Sequence, residues 1–457
     1  MPRLPMRRWV MKISDTSDSL DGLLNFGHKL ISLALQEGAE QAEVCGMIGR
    51  SVDIDLRRDA VDLASESFHR GLGLRAVIAG GVGFSSTSDM SLLPYVAKSA
   101  VLSARARGRD ESWRSLPAPK DVVHPEGIFD TRLQEIGPEE CLDLAESMLS
   151  GCRAVRGAEP VSGSVACASG CHFVLNSLGM QLVEASTLMH ASMETIARGS
   201  DVATGSDFYF ARGYTPSLED VGRAAGEQAC SSLGAVKAES GTYDVLLRPL
   251  AIAELLDYTL LPAISADNVQ KGRSSLRGRV GERVSSESLL IVDDGLLSGG
   301  IDSSSFDGEG VPSQRTAIIE DGVLKGYLYD SYTAGKEGTE STGNAVRAGY
   351  SGVPSVGIRN LIVGSRESRD LLAETKGIVV NGLIGAHTAN PISGDFSVET
   401  KNAFLIAPGK KPKPIGPLML AGNFFELIKD IEVGRDVRAV GAIVTPTVRV
   451  RMKVVGS

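Results

Sequence analysis

Glycine punctuates this chain: 52 of its 457 residues are Gly, and many of them stand between short apolar runs. Glycine enters left-handed backbone conformations freely and lets two chains approach closely, so this spacing directs the polypeptide toward tight turns and a β-rich fold. The runs Leu72–Ile78 and Val82–Ser85 meet at Gly80-Gly81, and a second pair meets at Asn176-Ser177-Leu178-Gly179. Both junctions predict hairpins. Val52, Ile54 and Leu56 alternate with Asp53 and Asp55, the period of a half-buried strand. Helical patterns are interspersed. One runs through Leu20, Leu23, Leu24, Leu30, Ile31 and Leu35 to a stop at Gly38, and others cover Leu92–Ala106, Pro138–Leu149 and Ala251–Leu261. Ser217-Leu218-Glu219-Asp220 reads as a further helix start with a Ser cap. The fold class is α+β: N-terminal α/β segments with hairpins, then a mostly β C-terminal domain.

At roughly 100–200 residues per domain the chain should divide into several units. The sequence predicts an N-terminal α+β domain over 12–110, a middle α+β segment over 126–236 and a β-rich C-terminal domain over 240–457. A linker with three prolines, Leu116–Pro125, and the stretch Lys237–Gly241 separate them. Apolar residues at 42% and charged residues at 23% allow a large core and exclude a disordered, collagen-like or coiled-coil chain. With 47 Lys+Arg against 56 Asp+Glu, the net charge of −9 argues against nucleic acid or an anionic membrane as partner. The longest stretch free of acidic and basic side chains, Pro160–Val183, is laced with Ser, Gly, Asn and His, unlike a membrane span. The start MPRLPMRRWVMKIS lacks the apolar run of a signal peptide. A cytoplasmic location is expected, with Met1 or Met11 as first residue.

Tests for chemistry return little. Cys45, Cys141, Cys152, Cys167, Cys171 and Cys230 are too scattered for a disulfide framework or a zinc cluster. Cys167 and Cys171 fall on one face of a predicted strand, about 13 Å apart. Cys141 and Cys152 fall on one face of a helix, as core thiols do. Gly71-Leu72-Gly73-Leu74-Arg75-Ala76 matches the dinucleotide fingerprint in letters, but a hairpin follows where a helix is required, so these read as turn glycines. Asp302–Gly308 lacks an oxygen ligand at Phe306 and reads as a surface loop instead of a calcium loop. His28, His69, His124, His172, His190 and His387 are isolated in sequence, and Ser393-Gly394-Asp395 reads as a turn near His387. No catalytic, metal-binding or cofactor-binding residue is assigned.

Longer strings carry a resemblance. Asp307-Gly308-Glu309-Gly310-Val311, Gln314-Arg315-Thr316, Ile319–Leu324, Leu328–Ala334, Ser341–Ala345, Gly394–Ser397 and Leu420–Phe424 together resemble the TldD/PmbA family, once called modulators of DNA gyrase. Gly71–Arg75, Gly83–Thr87 and Asn176–Gly179 fit the same pattern in the right order. The resemblance implies a two-subunit zinc metalloprotease. Its TldD-type subunit carries HExxxH on a helix and a late cysteine, and its TldE (PmbA) type keeps the fold without those ligands. Here the matching helix reads Ala253-Glu254-Leu255-Leu256-Asp257-Tyr258-Thr259-Leu260-Leu261-Pro262, with no His, and Gly441–Pro446 has no Cys. The resemblance is therefore to the TldE/PmbA type.

That resemblance implies a non-catalytic subunit with no cofactor of its own. Zinc is expected in a TldD-type HExxxH homologue as hetero-oligomeric partner, and unfolded or flexible peptides are the expected substrates. Glu254 then reads as a structural carboxylate. Two alternatives stay open: an independent hydrolase with a site assembled from distant His, Asp or Ser, and a non-enzymatic peptide-binding homodimer.

Overall fold

A computed structural model describes residues 19–367 and 369–456; the basic start with Met1 and Met11 lies outside the described residues. Helix α1 (Leu20–Gln36) begins where Ser19 Oγ accepts the Gly22 N–H at 3.1 Å and ends before Gly38, whose φ is +100°. Strands β1 (Gln41–Arg57), β2 (Ala60–Ile78) and β3 (Gly81–Thr87) follow as an antiparallel meander, with helix α2 (Leu93–Arg107) after them. A strap of irregular chain leads to the short helix α3 (Thr131–Glu135) and to α4 (Pro138–Arg153). Strands β4 (Ala158–Asn176), β5 (Gln181–Arg198) and β6 (Val202–Ala211) and helix α5 (Glu219–Ser231) complete the first half.

All six strands form one antiparallel sheet in the order β3-β2-β1-β4-β5-β6. The N-terminal and middle segments are thus joined by β1, which pairs with β2 along one edge and β4 along the other. At about 3.3 Å per residue, the 19-residue β4 spans roughly 60 Å. One pair of helices cannot cover that length, and two pairs share it. Ala42, Val44 and Ile48 of β1 pack under α1 and α2, and Val52, Ile54 and Leu56 of the same face pack under α4 and α5. Side chains alternate across a strand, so Glu43 and Cys45 point the other way. They are buried all the same, because the C-terminal unit covers that face.

This unit opens with β7 (Gly241–Leu247), α6 (Pro249–Tyr258) and α7 (Leu260–Ile264). Strand Gly377–Ile384 pairs with both β7 and Asp395–Ile406, so that five strands, with Leu418–Asn423 and Val448–Gly456, close on themselves. A second sheet is built on Leu289–Asp294, Arg315–Glu320, Leu361–Ser365 and Ile443–Thr445. Helix α6 packs on Gly377–Ile384 on one side and on Ile443–Thr445 on the other. Its Ala251, Ile252, Ala253, Leu255 and Leu256 are all buried, as expected of a helix packed on two sides, while Asp257 and Tyr258 stay exposed.

The α+β class holds, and four local expectations are corrected. The apolar helix does not run unbroken to Leu261: Thr259, with φ −123° and its hydroxyl donated to Leu255 O at 2.6 Å, separates α6 from α7. Ser217 does not cap α5 as expected. The helix begins at Glu219, whose N–H Ser217 Oγ accepts at 3.2 Å, and Leu218 holds the cap position without a side-chain bond. Asp302–Gly308 is no surface loop, since Ser303 through Asp307 are buried. Gly71 and Gly73 lie within β2 and not in a turn. A methyl group on Gly73 would sit 1.9 Å from Tyr350 O, and one on Gly71 2.2 Å from the Tyr350 ring. Glycine there admits a loop of the C-terminal unit against the sheet.

Gly73→Ala should therefore cost about 1–3 kcal/mol, since backbone has to move to admit the methyl group. Gly326→Ala, with nothing within 4 Å of the added carbon, should stay within about 0.5 kcal/mol of wild type. Urea unfolding midpoints of the two variants provide the check; equal midpoints would contradict the packing described.

Candidate functional site

The face of the first sheet turned toward the C-terminal unit is unusual in carrying buried charge. Glu43 and Arg75 are cross-strand neighbours on β1 and β2. Arg75 Nη2 donates to Glu43 Oε2 at 2.6 Å and Nη1 to Glu309 Oε1 at 2.7 Å. Arg347 pairs with the remaining oxygen of Glu43, and donates from Nε to Gly308 O at 2.6 Å. Glu309 Oε2 accepts the Ser331 N–H at 2.8 Å. The side chains of Glu43, Arg75, Glu309 and Arg347 are at most 5% exposed. Burial opposes ionisation of Arg75, yet the charges of Glu43 and Glu309 outweigh it and its pKa is raised. Burial likewise opposes the charge on Glu309, and Arg75 nonetheless holds its carboxyl below the usual range. Two acids and two bases alternate in the order Arg347–Glu43–Arg75–Glu309, and two of the three links cross between the units.

On one side of this network lies a groove. A cavity of about 520 Å³ is bounded by Phe84 and Arg107 of the first unit, by Asp110 and Trp113 of the strap, and by Tyr332 and Asn268 of the C-terminal unit. Trp113 stacks on Tyr332 with ring centroids 6.5 Å apart, Arg75 lies 5.6 Å over Trp113, and the Tyr332 hydroxyl donates to Asp110 at 2.8 Å. A smaller cavity of about 250 Å³ continues along the ends of α6 and α7, lined by Asp257, Leu261 and Pro262. Ser265, Asn268 and Val356 line both cavities, so the two adjoin. The short strand Ser355–Val356 borders the groove and pairs with Ala345–Val346 alone among the described residues.

The groove therefore passes the helix on which the family resemblance would set a metal. Zinc requires nitrogen, sulfur or carboxylate donors converging at about 2.0–2.3 Å. Here α6 and α7 present one carboxylate, Asp257, with the hydrocarbon of Leu261 and Pro262, and the facing strand Ile443–Thr445 adds no Cys or His. These residues do not fit zinc. Among the described residues, no group of three His, Cys, Asp or Glu could hold a metal ion. Glu254 turns away from the groove, accepting the Leu383 N–H at 2.7 Å and tying α6 to Gly377–Ile384. Burial pushes its pKa up, against the pull of that N–H and of Lys401.

The histidines are not brought together. His28 bonds Gln181 at 3.0 Å, His190 packs on Phe210, and His387 meets the edge of Tyr258. Ser393 donates to Asp395 at 2.7 Å within an exposed turn, with no bond to His387. Ser305 Oγ lies 2.7 Å from His124 Nδ1, but Ser305 is 0% exposed and its hydroxyl also bonds Glu184, so no substrate carbonyl can reach it. All six cysteines are free. The Arg347–Glu43–Arg75–Glu309 network and the Trp113–Tyr332 wall escaped the sequence reading. Its nearest signal was Arg75 and Glu309 sitting inside the family strings.

Comparison with known proteins covers most of the chain. Residues 42–105, 131–233 and 240–456 match domain 1, the central domain and the C-terminal domain of the PmbA/TldA metallopeptidases. An uncharacterized protein of Methanocaldococcus jannaschii is 32% identical over 92% of this chain and 97% of its own length. The metalloprotease PmbA of Escherichia coli O157:H7 is 25% identical, covering 92% and 94% respectively. The crystal structure of TldE from Thermococcus kodakarensis superposes with a TM-score of 0.86 at 27% identity, covering 94% of this chain and all of that one.

Arg75→Met should lower stability by about 3–5 kcal/mol, because it leaves the buried Glu309 carboxylate without its counter-charge. Adding Glu309→Gln should recover part of the loss. Denaturant unfolding of wild type, both single variants and the double variant tests this, and simple additivity would show that the two side chains are not coupled.

Proposed function

The chain belongs to the PmbA/TldD metallopeptidase family, and from that membership we propose that it is the zinc-free, TldE-like subunit of a two-chain peptidase. The observation that carries the reading is the chemistry of α6. Helix α6 packs between Gly377–Ile384 and Ile443–Thr445, yet it and α7 offer Asp257, Tyr258, Leu261 and Pro262 where a metallopeptidase needs His and Glu. In this proposal zinc, and with it the activated water, comes from an HExxxH-bearing homologue, and this chain completes the enclosure around the substrate.

The groove supports a peptide as the ligand. Strand Ser355–Val356 runs beside it with one partner strand, so an extended segment could add along its free edge whatever its side chains. Unfolded or flexible substrates suit such backbone recognition, because most of their backbone N–H and C=O groups are not already paired. The likeness to TldE from Thermococcus kodakarensis favours the same subunit type. A cytoplasmic location goes with this proposal.

Three measurements test it. Co-expression with an HExxxH homologue from the same genome should give a complex by size exclusion that cleaves peptides faster than either chain alone. Separate elution, with the homologue fully active by itself, would end the proposal. Elemental analysis of this chain after dialysis should find no stoichiometric zinc; one tightly held zinc per chain would favour an independent hydrolase. Glu254→Gln should leave the activity of the pair within a few-fold, whereas loss of a true general base costs about 10²–10⁴-fold.

A further inference from the structure

A separate cavity of about 270 Å³ lies on the other side of the charge network, between the first sheet and the buried loop at Ser303–Asp307. Its floor is the cross-strand pair His172 and Glu184 of β4 and β5. Glu184 is 6% exposed. One of its oxygens, Oε1, accepts the Ser305 N–H at 2.8 Å together with the Ser305 hydroxyl, and Oε2 has no partner. The wall carries Arg359. Its backbone N–H is fixed by Asp293 at 2.8 Å, but its Nε has no acceptor, and its guanidinium feels the charges of Asp302 and Asp293 without a hydrogen-bonded carboxylate among the described residues. Arg212, also in the wall, is by contrast spent on the carbonyls of Thr187, Gly300 and Ile301.

The cavity thus holds a carboxylate with one unpartnered oxygen and a guanidinium with no hydrogen-bonded carboxylate, while Arg212 and Asp302 in the same wall act on them only through space. A buried polar atom left without a hydrogen bond is costly even where opposite charge lies nearby, so both groups favour a ligand that completes their bonding. Burial, helped by the charges of Arg359 and Arg212, holds the His172 imidazole near a pKa of about 4 despite the pull of Glu184, so this neighbour is neutral at pH 7 and brings no charge to Glu184.

We propose that this cavity binds a small α-amino zwitterion, a free amino acid or dipeptide, with its ammonium on Glu184 and its carboxylate on Arg359. A guanidinium matches a carboxylate in two-pronged geometry, and a half-engaged carboxylate suits an ammonium. The volume of about 270 Å³ suits one or two residues. Such ligands are what peptide hydrolysis releases, although the site stands without the subunit reading because binding is measured on this chain alone.

The test is calorimetric titration of the full chain at pH 7 with alanine and with Ala-Ala, using N-acetyl-Ala-Ala and Ala-Ala amide as blocked counterparts. The free dipeptide or alanine should bind, and each blocked form at least about tenfold more weakly, the loss of one charged hydrogen bond. Glu184→Gln keeps an oxygen for Ser305, so it should fold and lose the preference for a free ammonium. Arg359→Gln should lose the preference for a free carboxylate. Equal binding of free and blocked forms would overturn the proposal, as would no binding up to about 10 mM or binding of every carboxylate regardless of its amine. Should a variant fail to fold, the four ligands on wild type decide alone.

Discussion

The buried alternation Arg347–Glu43–Arg75–Glu309 is the constraint on which the rest of the molecule depends, because it fixes how the first sheet meets the C-terminal unit. Apolar surfaces can slide on one another at little cost, whereas a guanidinium shared between two carboxylates has one position. A single shift of register along β2 would turn Arg75 to the helix side and set Leu74 or Ala76 facing Glu309. The groove and the zwitterion cavity lie on either side of this lock. Both exist only because the units are held in one relation.

The network is weak evidence for stability as such. A buried ion pair often does no better than well-packed hydrocarbon, since the Coulombic gain mostly offsets desolvation. Its use here is positional. Gly71 and Gly73 act to the same end by a different route, leaving a bare stretch of sheet against which Tyr350 can lie. One device specifies by charge and the other by the absence of side chains.

Much of the secondary structure was legible because its signals are local. The Gly80-Gly81 and Asn176–Gly179 turns, the stop at Gly38 and the apolar periods of α1, α2 and α4 each declare themselves within a few residues. The positions that failed depend on a neighbour remote in sequence. Glu43 has the same strand parity as Asp53 and Asp55, yet only Glu43 is covered by another unit, and nothing in its flanks distinguishes it. Ser303 to Asp307 look like surface because they are polar. They are buried because Asp307 accepts the N–H groups of Glu309, Val311 and Ala345, and Ser305 bonds Glu184. The helix α6 was legible as a helix and its lack of donors was legible letter by letter, but the groove beside it is built from the strap, α7 and the 353–358 segment, which only the fold brings together.

The long strand β1 also has a kinetic side. It is made early, yet one of its edges waits for β4, with Glu43 opposite Asn176 and Arg57 opposite Ser162. During synthesis the ribosome must deliver the strap, α3 and α4 before that edge can close, and a pairing so distant in sequence forms slowly. Meanwhile a seventeen-residue strand is left with open backbone donors and acceptors, able to pair with another nascent chain. The first and middle segments therefore cannot mature one after the other like beads on a string; the first is finished only when the second arrives.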